Sequence, residues 1–297
     1  MGDAIITQGL TKDYGGGKGL FDLTLAVREG EVFGYLGPNG AGKTTTIRLL
    51  MSLMRPTRGS AAVFDLDAIT RSVELKRVIG YLPGELPQFG GLRGDEIVAS
   101  LAALRSDVDR ALVRELTERL DLDLGRRYRE YSSGNKQKLG IVLAFMHRPR
   151  LLILDEPTGG LDPLNQQTFY AIVREARERG ATVFLSSHIL SDVEAVCDRV
   201  GIIRAGRLVK VAGLDELNDL HQRRMEIQFS AEPPLAELRA VPNVEQLQVS
   251  GSTVRCVVRG DVDAFLRAIG RAHVTALTSE EPSLEETFLA YYRSDAV

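Results

Sequence analysis

Two cysteines occur in 297 residues, and they are far apart. Cys197 and Cys256 fit neither a metal-ligand spacing nor a disulfide framework. A stapled extracellular scaffold is therefore excluded and a reducing compartment is expected. No apolar run approaches the roughly 20 residues needed to cross a bilayer. The polypeptide is expected to be soluble, though free to dock on a membrane protein. The opening MGDAIITQGLTKDYGGG carries acids and glycines instead of an apolar stretch, which argues against a targeting segment. Neither sign of charge dominates. A formal net charge of -3 gives no reason to expect a polyanionic partner. There is no internal repeat and no long coiled-coil insert. At 44% hydrophobic residues the chain can fill one large core or two smaller ones.

What is present is concentrated in a few short stretches. EVFGYLG (31–37) reads as a strand, and KTTTIRLLMSLM (43–54) reads as a helix. Ile47, Leu50, Leu53 and Met54 recur at helical spacing and are expected to face a sheet. Between strand and helix lies GPNGAGKTT, which satisfies G-x-x-x-x-G-K-[ST]. Small residues let the N–H groups of Gly37, Pro38–Gly40, Ala41 and Gly42 (Pro38 itself has no N–H) converge on an anion. The helix start adds free donors and partial positive charge. Lys43 supplies a mobile cation for β- and γ-phosphates, and the Thr44 hydroxyl, followed by Thr45, can ligate Mg²⁺. The bland alternative is a tight turn before a helix.

A phosphate loop needs a metal-holding acid and a base. In PRLLILDEPTGGLDP (149–163), LLIL reads as a strand buried on both faces. Asp155 ends that strand, where open α/β sheets bind ligands, and is the candidate Mg²⁺-side carboxylate. Glu156 points elsewhere and is placed to take a proton from an attacking water. In ATVFLSSHILSDVEAVCDRV (181–200), the strand Ala181–Leu185 leads to His188, and a helix follows. The imidazole at this second strand end can reach a γ-phosphate and hold the water and Glu156 in line.

Between these segments lies YSSGNKQKLG (131–140). With it, the chain resembles the ATP-binding subunit of an ABC transporter. Tyr131, Ser132, Ser133, Gly134 and Asn135 occupy the places of the family signature. The resemblance implies that Ser132 and the Gly134 backbone of one subunit touch the γ-phosphate held by another. It also implies that Tyr14 stacks on adenine, and that Gly160, Leu161 and Asp162 approach the partner. The pattern departs from the family in three places. Gly84 stands where a glutamine after GY-x-P is usual, and neither Glu85 nor Gln88 is in register to replace it. Ser133 replaces a glycine, and Asn135 replaces the signature glutamine. The signature variant and the tail SLEETFLAYY resemble subunits of exporters for drugs, antibiotics and peptides.

The expected fold is α/β: a P-loop NTPase core of the ABC ATPase type, with an antiparallel β region, a helical insert and a small C-terminal α+β domain. Residues 1–222 are expected to form the nucleotide-binding domain, with a helical subdomain at about 88–147, and residues 223–297 an accessory or regulatory domain. Strands are expected over residues 3–30, split at Gly15–Gly19. A hairpin is expected around Ala205–Gly206. Asp261 is expected to open a helix, and Ser283 with Glu286 to cap a last one that carries Phe288, Leu289 and Tyr292. The functional expectation is ATP hydrolysis with Mg²⁺ that powers export through a separate transmembrane permease. The ATPase is expected as a homodimer or with a paired ATPase subunit, in the cytoplasm and peripheral on the inner face of the cell membrane. No nucleic acid is expected as partner. Two rivals are a soluble ATPase acting on ribosomes or nucleic acid, and a nucleotide switch without hydrolysis or transport.

Overall fold

The computed structural model describes residues 2–105, 108–214, 222–259, 262–270 and 272–280. Asp261, Ser283, Glu286, Phe288, Leu289 and Tyr292 lie outside the described residues. The chain divides into two compact units, residues 1–212 and 213–297.

The larger unit begins with two long strands, β1 (Asp3–Asp13) and β2 (Gly19–Arg28), paired antiparallel. Gly15, Gly16 and Gly17 all have positive φ in the turn between them. β4 (Arg58–Val63) and β5 (Leu66–Asp67) extend this sheet in the order β2-β1-β4-β5. The second sheet is built on β3 (Val32–Leu36), β6 (Ile79–Leu82), β7 (Leu151–Asp155), β8 (Thr182–Ser187), β9 (Arg199–Arg204) and β10 (Arg207–Gly213), in the order β10-β9-β3-β8-β7-β6. The pairs β3–β8, β3–β9, β7–β8 and β6–β7 are parallel. Every residue of β3, β7 and β8 is buried, as near-continuous apolar runs covered on both faces require. β9 and β10 form the expected hairpin, with Ala205 and Gly206 both at positive φ.

Helix α1 (Lys43–Leu50) follows β3, and one core gathers α1 with the facing sides of both sheets. Ile5, Leu23, Phe33, Tyr35, Ile47, Leu50 and Phe184 are fully buried in it. The helix is shorter than its apolar spacing suggests. Ser52 turns left-handed at φ 55°, and Leu53 N–H bonds back to the Arg48 carbonyl at 2.8 Å. This C-terminal stop leaves Leu53 53% exposed, not facing the sheet as expected, while Met54 still packs on the core.

The chain from 72 to 145 supplies α2 (Ser72–Val78), α3 (Gly94–Ala102), α4 (Arg110–Arg119) and α5 (Ser133–Phe145). Asp109 caps α4 by accepting from Ala111 and Leu112 N–H. α5 is buried almost all round, including Gln137 and Lys138. Two further helices, α6 (Pro163–Glu178) and α7 (Leu190–Val196), follow β7 and β8.

The smaller unit alternates β11 (Gln222–Phe229), α8 (Leu235–Arg239), β12 (Val244–Ser250), β13 (Thr253–Arg259), α9 (Asp263–Ile269) and β14 (Val274–Glu280). Its sheet order, β12-β13-β11-β14, is that of a split β-α-β. Met225, Ile227, Phe229, Val254, Cys256 and Val258 line one face and pack with Leu238, Phe265 and Ile269 of the two helices. No helix among the described residues is long and apolar enough to cross a membrane.

Candidate functional site

Lys43, Thr44, Asp155, Glu156 and His188 lie at or just beyond the ends of three neighbouring parallel strands, β3, β8 and β7. The loop after β3 turns at Gly40 (φ 80°) and Gly42 (φ 111°), conformations that side chains rarely adopt. Gly37 is needed for a different reason. A Cβ there would lie 2.4 Å from the Ile203 carbonyl oxygen. The loop is pinned on both sides: Gly37 N–H donates to the Ser187 carbonyl at 3.2 Å, and Gly206 N–H donates to the Ala41 carbonyl at 2.8 Å. Pro38, Asn39 and Gly40 are exposed. Gly42 has no side chain to cap α1, so the first N–H groups of the helix, at Lys43, Thr44 and Thr45, stay available.

Lys43 is 5% exposed and folds back over the loop. Its Nζ donates to the carbonyls of Gly37 at 2.6 Å and Pro38 at 3.3 Å. Thr44 Oγ1 donates to Asp155 Oδ2 at 3.0 Å, and Ser186 Oγ donates to Asp155 Oδ1 at 2.5 Å. Asp155 is thereby held between the loop and β8. Burial, and then the charge of Asp155, push the Tyr81 phenol up to about 12, so it stays neutral at the rim of the site.

The backbone leaves β7 at Glu156, whose φ of 49° is left-handed. That conformation costs about 1–2 kcal/mol for a residue with a side chain. Several bonds hold it. Glu156 N–H donates to the Ser186 carbonyl, and buried Gln137 donates through Nε2 to the carbonyls of Glu156 at 3.1 Å and Pro157 at 2.8 Å. The turned carboxylate sits between two partners. Oε2 is 2.8 Å from His188 Nδ1, and Oε1 is 3.1 Å from Lys43 Nζ. Oε1 is buried yet takes no aligned hydrogen bond, so the Lys43 contact is a charge contact that leaves an acceptor site available.

Lys43, Thr44, Asp155, Glu156 and His188 therefore form one cluster, linked pairwise by contacts of 2.8–3.1 Å. Ser132 and Gly134 are held elsewhere in the chain. Ser132 caps α5 by accepting from Asn135 N–H at 3.2 Å. Gly134 packs so closely on the loop after Glu156 that a Cβ would lie 2.6 Å from the Gly160 carbonyl oxygen. Tyr14 follows β1, is 54% exposed, and donates through its hydroxyl to Met54 Sδ at 3.4 Å. Gly84 lies beside the cluster: a Cβ there would be 3.5 Å from Asp155 Oδ2, an ordinary contact. Glu85 and Gln88 line a cavity of about 480 Å³ with Lys136, Gln137, Glu156 and Gly159, so both are near the site although neither replaces Gly84 in sequence.

Sequence reasoning missed Gln137, Ser186 and Asp192. Asp192 is 2% exposed and accepts from Thr158 Oγ1 at 2.6 Å, Tyr170 OH at 2.6 Å and Ser187 Oγ at 3.0 Å. The donor set present suits the groups expected of it. Thr44 Oγ1 and Asp155 Oδ2 are hard oxygens of the kind Mg²⁺ takes one or two at a time beside phosphate oxygens. Lys43 and the α1 N-terminus are the matching donors for those phosphates.

Comparison with known proteins agrees with this geometry. Residues 20–159 match the family model described as ABC transporter. The chain is 38% identical to the bacitracin transport ATP-binding protein BcrA of Bacillus licheniformis over 234 residues, 77% of this chain and 76% of that one. It is 31% identical to the BcrA of Enterococcus faecalis, over 96% of this chain and 94% of the relative. A solved ATP-binding subunit of an ABC transporter superposes with a TM-score of 0.66 at 31% identity, over 72% of this chain and 92% of that structure. Relatedness of this depth, sustained across most of both partners, places the chain in the family of ABC transporter ATP-binding subunits.

Proposed function

We propose that this ATPase subunit powers export through a separate transmembrane permease by closing as a head-to-tail C₂ dimer on ATP. The observation that carries the reading is the Glu156 carboxylate. One oxygen is oriented by His188 at 2.8 Å, and the other is buried beside Lys43 with an acceptor site available. Lys43 and the loop N–H groups bind the β- and γ-phosphates. Lys43 gives up its contacts with Gly37 and Pro38 to do so. Tyr14, exposed at the end of β1, offers its ring to adenine. Thr44 and Asp155 would hold Mg²⁺, Asp155 through water. When bound, the ion neutralises charge on the phosphates. Glu156 accepts the proton of the attacking water, and His188 keeps that carboxylate in line.

Ser132 and Gly134 complete the site from a second copy or a paired ATPase subunit. Both sit at the N-terminus of α5, where anions are favoured. A triphosphate shared across two copies joins them, and its cleavage lets them separate. That cycle is the two-state element a bound permease can use. The bacitracin transport relatives favour transport of an antibiotic-like cargo as the setting. The chain would act from the cytoplasm, on the inner face of the membrane, without nucleic acid.

The test is phosphate release by the full chain, alone and reconstituted with candidate permeases in vesicles. Turnover that rises or falls on adding one permease, and disappears in Lys43→Ala, supports the reading. Turnover indifferent to every permease overturns the coupling, and turnover that survives Lys43→Ala overturns the site.

A further inference from the structure

The Glu156–His188 pair depends on backbone held behind it, and one carboxylate bonds to the segments on both sides of the pair. Asp192 lies in the first turn of α7, four residues beyond His188, and is 2% exposed. Each of its hydrogen bonds goes to a different segment. Oδ2 accepts from Thr158 in the loop after Glu156, at 2.6 Å, and from Ser187 at the end of β8, at 3.0 Å. Oδ1 accepts from Tyr170 of α6, at 2.6 Å. Ser187 is the residue before His188. Its Oγ also accepts from Ile189 N–H at 2.9 Å, so the His188 peptide is bracketed. Its carbonyl accepts from Gly37 N–H, which ties the same point to the phosphate loop. Thr158 accepts through its carbonyl from Leu161 N–H, and so shapes the turn that carries Gly159 and Gly160.

Two features separate this group from a side chain that merely fills the interior. A buried carboxylate is costly unless every oxygen is bonded, and here both are bonded by hydroxyls, with no cation paired to it among the described residues. The start of α7 supplies the compensating partial positive charge. The segments joined by the carboxylate are also those that flank the reacting pair: Thr158 follows Glu156 by two residues and Ser187 precedes His188 by one. An acceptor shared by both fixes the distance between them.

We infer that Asp192 is a positioning residue for hydrolysis, holding the Glu156 turn and the His188 strand end in register through Thr158 and Ser187. It touches neither nucleotide nor water. Its role rests on the reading of Glu156 and His188 as the hydrolytic pair. Asp192→Asn keeps the size but replaces one acceptor oxygen by a donor, so one of Thr158, Ser187 and Tyr170 must lose its acceptor or turn its hydroxyl. A displacement of this kind acts on turnover more than on nucleotide binding, because the hydrogen bonds of Asp192 reach neither Lys43 nor the N–H groups at the start of α1.

The experiment measures kcat and KM for ATP on the full chain, with thermal unfolding in parallel, for wild type, Asp192→Asn, Thr158→Val, Ser187→Ala and Glu156→Gln. We expect kcat to fall about 10- to 100-fold in Asp192→Asn, with KM within roughly threefold of wild type. Thr158→Val and Ser187→Ala should each fall less, and neither should add its full effect to Asp192→Asn. If Asp192→Asn does not fold, Thr158→Val and Ser187→Ala carry the test through the same split of kcat against KM. A kcat per folded molecule equal to wild type in these variants, with only the melting temperature lowered, overturns the inference. Full turnover in Glu156→Gln overturns instead the underlying assignment of the hydrolytic pair.

Discussion

Gly134→Ala is the substitution whose effect the packing specifies most closely. An added methyl carbon would stand 2.6 Å from the Gly160 carbonyl oxygen. Relaxed carbon–oxygen contacts lie at about 3.3–3.6 Å, so the two backbones must separate by on the order of 0.7 Å. Neither yields easily. Gly160 is at φ 76°, and its loop is tied through the carbonyls of Glu156 and Pro157 to Gln137 and through Thr158 to Asp192. On the other side, α5 is buried over most of its length. Overpacking of this kind costs about 1–3 kcal/mol. The better helix propensity of alanine returns less than about 1 kcal/mol, because the site is in the first turn. A net loss of about 1–2 kcal/mol lowers the melting temperature of a unit this size by about 2–8 °C. The displaced loop also begins at Glu156, so turnover should fall together with stability. Calorimetry and phosphate release on the same preparation check both. An alanine variant that melts at or above the wild-type temperature with full turnover refutes the close approach of α5 to the Gly160 loop.

Glu156→Gln removes the proposed proton acceptor while leaving the phosphate-loop donors intact; turnover should drop by about 10²- to 10⁴-fold with ATP binding retained. Equilibrium binding and phosphate release separate these two, and loss of both would contradict the geometry. The Asp109 carboxyl is held below the usual carboxylate range, first by the Leu112 N–H at the start of α4 and then by Arg148. Its contribution is fully present above the unfolded value near pH 4 and is lost as pH falls through the lowered folded value. Asp109→Asn keeps a neutral cap, so melting temperature should depend less steeply on pH below about 4; an unchanged acid limb counts against it. Gly84→Gln should fold with a melting temperature close to wild type, because its Cβ makes only ordinary contact with Asp155. With an amide now beside Asp155, half-maximal turnover should need less Mg²⁺. A large loss of stability would show that the space does not exist.

The sequence alone determined the class of fold and which residues are candidates for the site. Lys43, Thr44, Asp155 and Glu156 are legible because a phosphate loop and a buried strand end are local patterns. Each needs only neighbours within one strand, one turn and one helix. His188 was legible for the same reason, as a second residue at a strand end. The tertiary structure decided what holds those residues in place. Asp192 reads in sequence as one more acid opening a helix. Its partners lie 5, 22 and 34 residues away and carry hydroxyls common anywhere in a chain. Gln137 likewise reads as a surface residue of a polar helix start until α5 is buried against the Glu156 turn. Gly80 is plain in β6 until α5 arrives and leaves only 2.1 Å between its missing Cβ and the Ala144 carbonyl. The order β12-β13-β11-β14 in the smaller unit arises the same way, since strands that read alike can pair in many orders. Local sequence sets what a residue can do, through its side chain and its backbone freedom. Which buried donor meets which acceptor is settled only when distant segments pack and water is excluded, since an unmatched polar group there would be costly.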